Sequence, residues 1–192
     1  LLTTASSYRL PAFLEAAERL VIAALVAEDA PEALARETAS RLWLDFAAEE
    51  RAIARIVALA QAAPLAAVIA VDDSGSLLAA RASAALGLPH NTLGSAEAAR
   101  DKHLMRRRFA ADGVPSPAFR LCSTGEDLVA LGAIQRYPCV LKPLRLNGSR
   151  GVIRADTLEQ FVAAAQRLAR LLERVEGRPG PHPFLVEDFF GL

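Results

Sequence analysis

Thiols are scarce in this chain. Of its 192 residues only Cys122 and Cys139 are cysteine, with no C-x-x-C spacing, so we expect free, reduced, structural thiols and a cytoplasmic protein. A dominant charge is missing too: 22 acidic residues offset 22 basic ones, which excludes a chain-wide electrostatic footprint for nucleic acid. No apolar run reaches the ~18 residues of a membrane span, so no membrane partner is expected. The N-terminus lacks a basic segment leading into an apolar one. Two phosphate-binding signatures are absent as well. No Gly-Lys-Ser/Thr closes a glycine-bearing loop, which removes a P-loop. No G-x-G-x-x-G follows the first strand, where Thr3-Thr4-Ala5-Ser6-Ser7-Tyr8-Arg9 stands instead; this argues against a nicotinamide-dependent enzyme. The chain opens at Leu1 without methionine and stops at Gly191-Leu192 after an apolar run, so both ends are expected to be cuts in a longer protein.

What is present is globular: 53% of the residues are apolar, enough for a real core. The first ~90 residues alternate strand-like and helix-like segments, the pattern of an open α/β sheet. We expect strands at 1–4, 20–29, 41–46 and 65–73. The last, apolar throughout, reads as covered on both faces. Helices are expected at 11–20 with Pro11 in the first turn, at 47–63, and from Ser74 as N-cap to Leu86, stopped by Gly87 and Pro89. After residue 94 the texture changes to α+β. Ser95 is expected to cap a helix running through Lys102 to Asp112, in which Arg106-Arg107-Arg108 form a solvated face. Strands follow at 118–122, 137–144, 151–155 and 184–190, with a short helix at 124–136. The clearest helix begins after Thr157, whose capping-box partner is Gln160, and carries the stripe Leu158, Phe161, Val162, Ala165, Leu168 and Leu172. Two domains result, 1–94 and 95–192.

The chemistry concentrates at Leu141-Lys142-Pro143-Leu144-Arg145-Leu146-Asn147-Gly148-Ser149-Arg150-Gly151-Val152. Strand alternation puts Lys142 on one face with Val140, and Cys139 with Leu141 on the other. A lysine losing hydration among apolar neighbours calls for an anion nearby. The adjoining Asn147, Gly148, Ser149, Arg150 and Gly151 can expose successive backbone N–H groups because Gly148 and Gly151 tolerate positive φ. Ser149 adds a hydroxyl donor and Arg150 a guanidinium fork. An ordinary surface hairpin with a snorkelling lysine fits this stretch equally well.

Order along the chain changes the balance. Asp101-Lys102-His103-Leu104-Met105-Arg106 leads to Gly113-Val114-Pro115-Ser116-Pro117; then come Pro138-Cys139-Val140-Leu141-Lys142-Pro143, the loop Asn147–Val152, and Phe184-Leu185-Val186-Glu187-Asp188-Phe189-Phe190. In order and spacing these segments resemble the ATP-grasp superfamily, and the first domain resembles its Rossmann-like pre-ATP-grasp domain. The resemblance implies a truncated arrangement: that domain (1–94), then the N-terminal α+β lobe of an ATP-grasp domain (95–192), the second lobe missing. It implies ATP as ligand, with Lys102 and Lys142 on its phosphates and the loop Asn147–Gly151 folding over them. Glu187 and the backbone of Asp188, Phe189 and Phe190 would line the adenine edge.

The resemblance further implies a ligase that activates a small carboxylate as an acyl phosphate for attack by an amine, releasing ADP and phosphate. No catalytic residue is assigned within this chain. The family's Mg²⁺ ligands have no counterpart here, and neither Asp72-Asp73 nor Glu49-Glu50 replaces them, so this stretch alone is expected to be inactive. The loop lacks the run of consecutive glycines typical of biotin carboxylases, which makes a biotin carboxylase or carbamoyl-phosphate-synthase-like member the minor alternative. A non-catalytic nucleotide-binding module is the other. Oligomeric state is not legible, and a homodimer stays open.

Overall fold

A computed structural model describes residues 1–30 and 41–190. It divides into two compact units, Leu1–Glu97 and Ala98–Leu192, each mixed α/β.

In the first unit three short strands, β1 (Leu2–Thr4), β2 (Val26–Asp29) and β3 (Arg41–Leu44), form a parallel sheet in that order, with Leu2 opposite Ala27 and Val26 opposite Arg41. Helices α1 (Leu10–Arg19), α2 (Glu49–Ala62) and α3 (Ser76–Ala85) accompany it. Its core gathers Leu2, Ala27, Leu44, Ala52, Ile56, Leu78 and Ala82.

Two strand expectations are met only in part. At 20–29 the strand is Val26–Asp29, while the Leu25 carbonyl accepts from the Leu1 ammonium at 2.6 Å and Val21 and Ile22 are exposed. At 65–73 the pairing is a single bridge. Ala70 bridges Leu2, with Leu2 N–H donating to Ile69 and Val71 N–H donating to Leu2, both at 2.8 Å, and pairing stops there. Ala66, Ala67 and Ile69 are exposed, so this segment is not covered on both faces.

Its acidic end has a definite task. Asp72 Oδ2 accepts from Thr4 N–H at 3.0 Å and from the hydroxyls of Thr3 and Thr4 at 3.1 and 3.2 Å, and Oδ1 accepts from Ser7 Oγ at 2.9 Å. Burial pushes this carboxyl up, but those donors outweigh it and hold the pKa below its ordinary value. Asp72 therefore ties down the turn after β1. The expected Ser74 cap is also corrected: Asp73–Gly75 is a 3₁₀ turn, and α3 has Gly75 at its N-cap without a side-chain bond.

In the second unit β4 (Phe119–Ser123), β7 (Pro183–Asp188), β5 (Cys139–Pro143) and β6 (Ile153–Ala155) form an antiparallel sheet in the order β4-β7-β5-β6. Helix α4 (Leu93–Arg100) runs across the boundary between the units, and α5 (Lys102–Ala111) and α6 (Leu128–Ala133) precede the last long helix. Then α7 (Leu158–Glu176) lays Phe161, Ala164, Ala165, Leu168 and Leu172 against Cys139, Leu141, Phe184 and Val186. Thr157 caps it by accepting from Gln160 N–H at 3.3 Å, while the Gln160 side chain accepts from Asp156 N–H at 2.7 Å. Cys122 and Cys139 are buried, free thiols, both pushed by burial up to about 11, so neither is a nucleophile near neutrality.

Packing under α7 leaves no slack at Gly132. A Cβ there would run into Leu158 Cδ1 and meet Phe161 Cδ1 at 2.9 Å. Gly132→Ala is expected to cost about 1–3 kcal/mol by overpacking, read as a lowered midpoint in urea unfolding.

Candidate functional site

One continuous helix from Ser95 to Asp112 is not what forms. The chain breaks at Asp101, whose extended backbone ends α4 and whose carboxylate accepts from His103 and Leu104 N–H at 3.0 and 3.1 Å, capping α5. Ser95 lies inside α4, its own N–H donating to Thr92 Oγ1 at 3.2 Å. The break matters because it makes Lys102 the first residue of α5 and puts Arg106 one turn later on the same side.

Lys102 holds the root of the glycine loop. Its Nζ donates to the carbonyls of Leu146 at 2.8 Å and Leu144 at 3.4 Å, and its backbone N–H donates to Leu144 at 3.1 Å. Burial lowers its pKa, and the Lys142 charge lowers it further, against smaller opposing effects of Asp101 and Glu187.

Strand alternation places Lys142 and Val140 on the face of β5 away from α7, as expected; Cys139 and Leu141 face the helix. The anion that Lys142 calls for is already in the chain. Its Nζ donates to Glu187 Oε2 at 2.5 Å. Glu187 is 2% exposed on β7, opposite Val140. Arg106 completes the cluster, its Nε donating to Oε1 at 2.8 Å and its Nη2 to Oε2 at 3.1 Å. Burial pushes the Glu187 carboxyl up, but bonds and charge from Arg106 and Lys142 prevail and hold it below its ordinary value.

Arg106 departs from the expected solvated face: its side chain is 16% exposed, while Arg107 and Arg108 face solvent. The signal that could have found it is the four-residue spacing from Lys102.

The loop Asn147–Gly151 projects from β5 into β6. Gly148, Ser149 and Gly151 all have positive φ, 60°, 57° and 79°. Arg150 and Val152 N–H are spent on turn bonds to Asn147 and Ser149. Those of Gly148, Ser149 and Gly151 take no backbone carbonyl among the described residues. The side chains of Asn147, Ser149 and Arg150 are exposed. Gly151 is fixed by packing as well as by φ: a Cβ there would meet Leu171 Cδ2 at 2.7 Å and Leu168 Cδ1 at 3.2 Å on α7.

Past β7, Asp188 N–H donates to Ala118 at 3.0 Å and Phe189 N–H to Pro138 at 3.2 Å, which leaves the Phe190 N–H without a backbone partner among the described residues. The Arg154 guanidinium lies 4.2 Å from the Phe189 ring centre, and Phe190 is exposed.

The chain has two lysines among its 22 basic residues, and both are in this cluster. Counting charge, Lys142 and Arg106 share one buried carboxylate, whose two oxygens are both taken, while Lys102 stands beside them with its Nζ on the Leu144 and Leu146 carbonyls and Asp101 as a second acidic neighbour. The surplus is positive, beside a loop with free N–H groups, which is what a polyanion such as a nucleotide phosphate chain requires. A divalent cation is not served equally. No group of three His, Cys, Asp or Glu close enough to hold a metal is found among the described residues, and Glu187 has no oxygen to spare. The residues of this cluster therefore do not fit Mg²⁺, and no step is assigned to it here.

Comparison with known proteins agrees with the fold. The ATP-grasp N-terminal domain family matches residues 14–90. A D-alanine–D-alanine ligase of Ralstonia pickettii (strain 12J) is 29% identical over 87 residues, 44% of this chain and 26% of that protein. The crystal structure of L-amino acid ligase from Bacillus licheniformis is similar with a TM-score of 0.71 at 20% identity, over 98% of this chain and 43% of that one. The biotin carboxylase domain of the Hydrogenobacter thermophilus 2-oxoglutarate carboxylase, solved with MgADP, ADP and bicarbonate, gives 0.63 at 17% identity over 98% and 44%. Residues 14–90 thus match the ATP-grasp N-terminal domain family, and the fold of the chain resembles the N-terminal portion of ATP-grasp ligases. It spans less than half the length of each of these three proteins.

Glu187 offers a direct check on the cluster. A carboxyl held below its ordinary value of 4.5 contributes stability that is full above that pH and is lost as pH falls through the folded-state value. Glu187→Gln is therefore expected to lower stability at pH 7 by about 3 kcal/mol, since it strands two half-buried cations. The gap to wild type should close as pH drops below 4.5, read by urea unfolding across pH 3–7.

Proposed function

We propose that this chain is the nucleotide-phosphate-binding part of an ATP-dependent ligase. The observation that carries the proposal is the surplus of half-buried positive charge at Lys102, Lys142 and Arg106 beside the N–H groups of Gly148, Ser149 and Gly151. Lys142 and Lys102 supply compact, desolvated ammonium groups for phosphate oxygens, and the loop supplies backbone donors, with the Ser149 hydroxyl and the Arg150 fork at its tip. The Phe190 N–H, without a backbone partner among the described residues, and the carbonyls of Asp188 and Phe189 supply an edge for adenine, with the exposed Phe190 ring beside it. Glu187 anchors the strand that leads to this edge: its carboxylate is committed to Arg106 and Lys142, and its strand is paired on both sides.

In the whole protein a substrate carboxylate would attack the ATP γ-phosphate. Cations here neutralise the charge that builds on the transferring group. The acyl phosphate then yields to an amine, with ADP and phosphate released. Mg²⁺ would neutralise phosphate charge and must draw its ligands from outside this cluster. The similarity to a D-alanine–D-alanine ligase and to an L-amino acid ligase favours an amino acid as the carboxylate. Two free, buried thiols agree with a cytoplasmic setting, and no helix among the described residues is long and apolar enough to cross a membrane. A homodimer is part of the proposal only as the state to test by sedimentation.

Calorimetric titration of ATP and ADP into wild type and Lys142→Ala tests the site. We expect wild type to bind and the variant to lose about tenfold or more in affinity, the scale of a lost charge-assisted contact. Equal binding by both, or none by wild type, sinks the proposal. Binding without ADP release in a screen of amino acids and amines, run on the protein with its following segment, would identify a non-catalytic nucleotide module instead.

A further inference from the structure

We infer that Arg106 is a positioning residue: by gripping both oxygens of Glu187 it fixes the acceptor on which the Lys142 ammonium rests, and so sets where that ammonium stands for an incoming phosphate. The inference deepens the function proposed above and rests on it for the role of Lys142.

Charge counting opens the case. Lys142 alone would neutralise Glu187. A second cation on the same carboxylate repels Lys142 and adds nothing to neutralisation, so its contribution has to be sought in geometry. The geometry is specific. Oε1 accepts from Arg106 Nε at 2.8 Å, and Oε2 is shared between Arg106 Nη2 at 3.1 Å and Lys142 Nζ at 2.5 Å. A planar fork holds the carboxylate against rotation about its last bond, which a lone lysine–carboxylate pair does not do. The pair is not a surface decoration: Glu187 is 2% exposed and the Arg106 side chain 16%.

The division of labour between the two cation types points the same way. The chain uses arginine for all but two of its basic residues, and those two lysines stand where a compact donor can reach a phosphate oxygen. At 106, where the partner is a carboxylate to be held in plane, the residue is arginine. The three side chains come from α5, β7 and β5 respectively. Asp101, by capping α5, sets the turn on which Arg106 stands, so the direction of Lys142 is fixed through a chain of contacts running back to that cap.

Having two lysines makes the test clean. Reductive methylation of the full chain, followed by peptide mass spectrometry, reads Lys142 against Lys102 as internal reference. In Arg106→Lys, which keeps the charge but cannot span both carboxylate oxygens, we expect Lys142 to be methylated several-fold faster than in wild type with Lys102 unchanged. Arg106→Gln, which also removes a charge that repels the Lys142 ammonium, is expected to show a smaller rise. Calorimetry should show ATP affinity falling about tenfold in either variant, and this fall should vanish in the Glu187→Gln background, as required of residues acting through one another.

Unchanged Lys142 reactivity in both variants overturns the inference. Faster methylation at both lysines overturns it too, being the mark of a loosened fold. So does an affinity loss that adds fully to that of Glu187→Gln, which would make Arg106 a direct nucleotide contact. If Arg106→Gln does not fold, Arg106→Lys carries the same comparison with the charge retained. Methylation needs no nucleotide. A chain that fails to bind ATP therefore sinks the proposed function, while Lys142 reactivity still decides whether Arg106 positions it.

Discussion

A carboxylate buried on a central strand is the constraint around which the second unit is arranged. Glu187 lies on β7, which has β4 on one side and β5 on the other, and it is 2% exposed. An ionised group in that place is costly unless both oxygens are bonded and its charge is met. Arg106 and Lys142 meet those demands, and in doing so tie α5 and β5 to the middle strand. Lys102, one helical turn from Arg106, ties the same helix to the root of the glycine loop through the carbonyls of Leu144 and Leu146. Helix, strand and loop thus share a single electrostatic anchor.

The anchor leaves positive charge over, and this is what supports the proposed phosphate site over a purely stabilising ion pair. A buried pair chosen for stability alone would balance one for one, and often an apolar pair of similar volume would do as well. Here two cations hold one anion with Lys102 beside them, and the loop next to them has N–H groups that take no backbone carbonyl among the described residues. The loop itself is shaped by its far side. Gly151 is held by α7 against Leu168 and Leu171, so the turn starts from a rigid base while Asn147, Ser149 and Arg150 stay at the surface.

Most elements were legible in the sequence because their causes are local. The capping pair Thr157 and Gln160, the apolar stripe of α7, the glycines after α3 and α5, and the alternation that separates Lys142 from Leu141 all act within a few residues. The failures are non-local. Residues 20–25 and 65–69 are as apolar as any strand, yet a strand needs a paired neighbour, and among the described residues pairing starts at Val26 and is limited to a single bridge at Ala70. Hydrophobicity reports what a segment can bury. Whether a backbone lies beside it is decided by residues far away in the chain.

For the site the division is sharper. From its sequence alone the protein has an α/β order, a lysine whose strand position strips it of water, and a loop whose glycines permit positive φ; these follow from side-chain alternation and backbone sterics. Only the tertiary structure decided which anion meets that lysine. The distance from 142 to 187 along the chain carries no information about it, because antiparallel pairing across β5 and β7 sets the contact. It also turned Arg106 from a surface residue into a partner, since the helix phase depends on where Asp101 breaks the chain. That break depends in turn on competition between continuing a helix and capping a new one, which local propensity leaves nearly balanced.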